Sequence, residues 1–182
     1  RGRTTYRILY VSGRPNWDYK FLNRALAGDP QLQVVGLIRV ARREPKFEFK
    51  GRAGEASNPL FRGFGRDEEE TRDENELRGG FPKNAEELFA YDAIVIDDLE
   101  AAFFSHEQQI LLRRFTAERG GGLLVLGGAD TLESGGYLDT PLAQALPVYL
   151  DRKPATAPQG DLAWKLTREG WIEPWTRVRA IE

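Results

Sequence analysis

The residues that could do chemistry fall into a few short clusters. Asp97 and Asp98 close an apolar run, Tyr91 to Leu99. A carboxylate pair at a strand end can hold Mg²⁺ or act as acid and base. Neighbouring strand residues point to opposite faces, which favours a simpler role in capping a loop. Asp130 follows Gly127-Gly128 at the end of a second apolar run, where it would face a ligand or cap the next turn. Arg14 and Asn16 precede a helix beginning at Trp17, a place where an anion can sit on free backbone N–H groups. The alternative is that Arg14 pairs with an acid such as Asp97 or Glu55. Trp17 would be a stacking surface or, more simply, part of the core or a hydrophobic staple. Arg52, Glu55 and Asn58 form a polar group that would fix a loop over these residues or touch a ligand.

The other polar features read more plainly. His106, the single histidine, sits in the first turn of a helix and reads as solvent-exposed. The acidic run Asp67-Glu68-Glu69-Glu70 reads as a solvated loop, since it lacks the spaced oxygen pattern of a Ca²⁺ loop.

The elements that must position these groups are legible in order. Tyr6 to Gly13 is a first strand. Asn16 is an N-cap, Asp18 suits the helix dipole, and Trp17, Phe21, Leu22, Ala25 and Leu26 recur at helical spacing as one apolar face. Gly28-Asp29-Pro30 ends that helix, and Leu32 to Val40 is a second strand. Residues 41 to 83 show no clean periodicity and read as a long insertion, with 66 to 78 mobile because charge is high and apolar content low.

Asn84-Ala85-Glu86-Glu87 is a capping box opening a short helix to Phe89. Tyr91 to Leu99 is the third strand. Ser105-His106-Glu107-Gln108 is a second capping box, opening a helix that runs to about Arg119. Gly120 to Gly122 stops it and feeds the apolar run Leu123 to Leu126, a fourth strand that reads as buried on both faces. A short helix is expected over Pro141 to Ala145 and a short strand over Val148 to Leu150. A linker-like crossing follows at 151 to 160. Leu162 to Thr167 would add a strand and Trp171 to Ile181 a terminal segment.

Strands alternating with helices predict an α/β, flavodoxin-like, doubly wound and mainly parallel sheet of order 2-1-3-4. The switch between strands 1 and 3 would put Gly13-Arg14-Pro15, Asp97-Asp98 and Gly127 to Asp130 along one rim. The 182 residues suit a single domain, 1–182, carrying the 41–83 insertion. A net charge of -2 argues against a dedicated nucleic-acid binder. The absence of cysteine removes disulfides, thiolate nucleophiles and thiolate metal sites, and one histidine removes a two-histidine metal site. No apolar run is long enough to insert directly in a membrane. With no methionine and Arg1 as first residue, the chain reads as a segment of something longer. Trp171 and Trp175 would then pack against the rest of the parent protein.

Several stretches resemble the class I glutamine amidotransferase-like domains. They are Gly13-Arg14-Pro15-Asn16-Trp17-Asp18-Tyr19-Lys20-Phe21-Leu22, Phe49 to Phe61, Gly120 to Asp130, Gly135-Gly136-Tyr137 and Leu166 to Trp171. The group most similar occurs in large bacterial membrane-anchored proteins, often beside von Willebrand factor A-type domains. The resemblance implies the fold and a soluble domain of a membrane-anchored parent, on the extracytoplasmic side if the lack of cysteine is a guide.

Active members of that family carry a cysteine on a sharp turn after a central strand, activated by a later His and Glu. Thiolate attack on the glutamine amide gives a thioester and releases ammonia. Here the equivalent turn, near Gly128-Ala129, has no side chain that attacks, and the late segment Gly170 to Pro174 has no imidazole. The leading expectation is therefore a non-catalytic domain, without cofactor or metal, whose partner is another domain of the parent or a separate protein. Two others stand beside it: a carboxylate- or metal-dependent hydrolase using Asp97, Asp98, Glu55 and Asp130, and a sensor of a small anionic ligand using Arg14 and the Gly127-Gly128 amides.

Overall fold

The computed structural model describes residues 5–41, 46–50, 80–151 and 165–176; the side chains of 40, 41, 46–50 and 175 are not described. The chain divides into two compact units, Arg1–Asp151 and Arg152–Glu182.

The first unit is built on a five-stranded sheet. Its elements are β1 (Tyr6–Ser12), α1 (Trp17–Leu26), β2 (Leu32–Ala41), β3 (Lys46–Lys50), α2 (Ala85–Leu88), β4 (Ala93–Asp97), α3 (His106–Ala117) and β5 (Gly122–Leu126). Single 3₁₀ turns lie at Ala101–Phe103 and Ala143–Ala145. The strand order is β3-β2-β1-β4-β5. β1 pairs in parallel with β2 and β4, and β4 with β5, whereas β3 runs antiparallel to β2. The four parallel strands thus take the expected order, and the direction in which successive strands are added switches between β1 and β4.

Strand alternation sends side chains to two cores. Leu9, Val11, Val35, Leu37, Ile94 and Ile96 meet Leu88 of α2 and Leu111, Leu112 and Phe115 of α3. Tyr10, Val34, Ile38 and Val95 meet Tyr19, Leu22 and Leu26 of α1 on the opposite face. Helices therefore cover both sides of an α/β sheet. Gly36 permits the close approach of α1: a Cβ there would lie 2.8–2.9 Å from the Tyr19 ring.

Caps set the helix starts as expected. Asn16 Oδ1 accepts from Tyr19 N at 3.0 Å, and Asn84 Oδ1 from Glu87 N at 2.9 Å. Ser105 and Gln108 form a reciprocal capping box. Gly120, at φ 75°, takes the left-handed conformation that ends α3.

Five expectations are corrected in the first unit. β5 is not buried on both faces: Gly122 and Leu124 are exposed and its other residues half-buried, and among the described residues it is the sheet edge. A short apolar run looks the same in sequence at an edge and in the middle. The inner stripe of α1 is Tyr19, Leu22, Asn23 and Leu26, while Trp17 and Phe21 face solvent. β3 forms inside the stretch thought patternless. Val148 to Leu150 is irregular rather than a strand, and the helical turn near Pro141 is the 3₁₀ turn at Ala143–Ala145.

In the second unit, 165–167 is irregular and leads into α4 (Arg168–Ile172), capped by Thr167, followed by a 3₁₀ turn at Pro174–Thr176. Trp171 is exposed there. The acidic run at 67–70, the expected mobile stretch 66–78 and the start of the Leu162 to Thr167 strand lie outside the described residues. No helix among the described residues is long and apolar enough to cross a membrane.

Candidate functional site

The carboxyl ends of β1, β4 and β5 bring together Arg14, Asn16, Asp97, Asp98, Gly127, Gly128 and Asp130. Arg52, Glu55 and Asn58 lie outside the described residues.

Asp97 ends β4 on the α1 side and is buried. Its Oδ2 accepts from the Tyr10 hydroxyl and from Asn16 Nδ2. Asn16 Nδ2 also reaches Ser12 Oγ at 3.3 Å, and Ser12 Oγ donates to the Arg14 carbonyl at 2.6 Å. Asp97 thus places a carboxylate beside the N-cap of α1, where negative charge is favourable. Burial, and then the hydrogen bond and charge of Asp97, hold the Tyr10 hydroxyl far above its ordinary pKa.

Asp98, one residue on, serves different partners. It adopts φ 43°, and its carboxylate pairs with Arg14 and accepts Asp130 N at 2.8 Å. Arg14 Nη2 also lies 3.3 Å from Asp130. A Cβ on Gly128 would collide with the Asp98 carboxylate, and one on Gly13 with the Asp98 carbonyl. Both glycines are therefore required by the position of one side chain and its backbone.

The β5 turn is held by its own bonds. Gly128 N donates to Thr131 Oγ1 at 2.5 Å, and Thr131 Oγ1 returns to the Gly128 carbonyl at 3.1 Å. Gly135 N bonds the Thr131 carbonyl at 3.2 Å, and the Gly135 carbonyl accepts Ala101 N at 2.8 Å. Tyr137, fully buried, donates to the Leu99 carbonyl at 2.7 Å. Burial, then the charges of Glu100 and Asp98, push its hydroxyl well up.

Sequence reasoning missed a second ion pair beneath this rim. Arg39 of β2 is buried and donates to Glu100 from Nη1 and Nη2, at 2.6 and 2.8 Å. Its Nε donates to the Gly13 carbonyl at 3.2 Å, and its guanidinium lies 5.6 Å from the Phe103 ring centroid. The hydrogen bond to Glu100 raises the Arg39 pKa against the opposing effect of burial. The signal available was an arginine inside the apolar run Leu32 to Val40, since buried charges need partners.

Chemically, the rim is closed on itself. Arg14 is engaged by two carboxylates, Asp97 and Asp98 do not converge, and Gly128 N is bonded within the turn. Among the described residues, no group of three or more His, Cys, Asp or Glu side chains is placed to hold a metal. His106 is exposed at the start of α3. A groove of about 630 Å³ lies within residues 138–151, lined in part by Leu138, Val148 and Tyr149, and no rim residue lines it.

No family model, no curated protein and no solved structure matches the chain.

Proposed function

We propose that the chain is a flavodoxin-like, class I glutamine amidotransferase-like domain that has no amidotransferase chemistry and serves as an interaction module in a larger bacterial membrane-anchored protein. The observation that carries this reading is the turn after β5. In the family it resembles, a turn after a central strand presents the nucleophile; the turn matched to it here follows β5, the edge strand among the described residues. Here it reads Gly127-Gly128-Ala129, and the Asp98 carboxylate fills the space beside Gly128. The parallel order β2-β1-β4-β5 supports the fold, and the absence of cysteine from the sequence supports the loss of chemistry. The self-paired rim gives less support to a carboxylate hydrolase or an anion sensor, because its charged groups already answer one another.

An electrophilic glutamine analogue tests the reading. Intact-mass measurement after incubation should show no adduct on the chain. A stoichiometric adduct mapped to residues 127–131 would overturn it.

A further inference from the structure

α1 carries two side-chain stripes of the same spacing. Tyr19, Leu22, Asn23 and Leu26 face the sheet. Trp17, Lys20, Phe21 and Arg24 recur at the same i, i+3, i+4, i+7 spacing on the opposite side, all exposed. Trp17 is 66% and Phe21 59% exposed, although these are large apolar groups that a helix usually turns inward. Their rings stack at 6.1 Å between centroids, and Lys20 Nζ lies 4.5 Å from the Trp17 ring. The result is a ridge of two stacked aromatics flanked by two cations. The one acid on the helix, Asp18, stands off the stripe.

We infer that this outer ridge of α1 is the docking surface of the module, and that its partner is a protein segment combining acidic side chains with an apolar anchor. The inference rests on the interaction-module reading for the existence of a partner; the surface and its chemistry come from the helix. Charge complementarity selects the partner: Lys20 and Arg24 call for carboxylates, and the stacked rings call for an apolar group between them. Trp and Arg are also the residue types that concentrate binding energy at protein interfaces. A second copy of the chain fits poorly, because a two-fold contact through this ridge sets Lys20 and Arg24 against their own equivalents. A bilayer fits poorly too, since only one four-residue stripe of a ten-residue helix is free to enter it.

The test is selection of a displayed random-peptide library on the whole chain, followed by affinity measurement with the labelled selected peptides. Enriched peptides should pair Asp or Glu with an aromatic or aliphatic residue and bind more weakly at high salt. Affinity should fall at least tenfold in Trp17→Ala and in Lys20→Glu/Arg24→Glu, with circular dichroism unchanged. Peptides with the charges reversed should regain binding to the double variant. Peptides without acidic residues, or binding indifferent to both variants, would overturn the surface while leaving an interaction module elsewhere on the chain. Failure to enrich any peptide would overturn this docking surface and its acidic partner, while the loss of amidotransferase chemistry is judged separately by the glutamine-analogue test. Co-sedimentation with phosphatidylglycerol vesicles, or a dimer lost in Trp17→Ala, would replace the acidic partner with a bilayer or a second copy.

Discussion

Asp98 and Gly128 compete for one space: the carboxylate of the first lies where a Cβ on the second would have to be. Gly128→Ala must therefore push Asp98 away from Arg14 and from the Asp130 N–H. We expect a loss of about 1–3 kcal/mol in chemical denaturation, the usual cost of overpacking a filled site. In the Asp98→Ala background the same glycine substitution should cost much less, giving a clear coupling energy in a double-mutant cycle. Equal costs in both backgrounds would show that the two residues do not share that space.

Tyr10 gives the fold a dependence on alkaline pH. Its folded pKa is raised by burial and by Asp97, while the unfolded hydroxyl titrates at ~10. The native state therefore holds a proton that the unfolded state releases. The associated stability is complete below pH ~10 and is lost as pH rises above it. Unfolding free energy should fall above that point in the parent chain, and less steeply in Tyr10→Phe. The same substitution should cost about 1–3 kcal/mol at neutral pH, since Asp97 keeps its burial and loses a donor.

Arg39 and Glu100 join β2 to the loop after β4 and brace the Gly13 carbonyl. Arg39→Met removes the bidentate guanidinium that Glu100 accepts from. The expected loss lies near the lower end of ~3–5 kcal/mol, because Glu100 keeps part of its exposure. Arg39→Met with Glu100→Gln should recover much of it, which thermal and urea unfolding would measure. No recovery would mean that lost packing against Phe103, rather than the lost charge pairing, dominates.

The sequence carried some of this architecture and hid the rest for definable reasons. β1, β2 and β4 are apolar runs ended by turn residues, and α1 and α3 open on side-chain caps that act within three residues. Such short-range signals survive without tertiary knowledge. The rim cluster follows from strand order alone, which brings Arg14, Asp98 and Asp130 together although 116 residues separate Arg14 from Asp130.

The misses were of another kind. Trp17 and Phe21 sit four apart, a spacing that serves an outer stripe as well as an inner one, and the inner stripe used Tyr19 and Asn23 instead. Leu123 to Leu126 said only that the strand was apolar, not whether a neighbour covered it. β3 did leave a signal, the alternation Lys46-Phe47-Glu48-Phe49-Lys50, obscured by the glycine- and charge-rich residues around it. Arg39 and Glu100 are 61 residues apart, and no local pattern links an arginine in one strand to a glutamate beyond another.

The central claim is that the β5 turn has no amidotransferase chemistry to offer. Ammonia release from glutamine by the purified chain tests it most directly. The expected result is a rate equal to the protein-free control, in the parent and in an Ala129→Cys variant that supplies a thiol without its histidine. Sustained turnover by the parent chain would contradict the account.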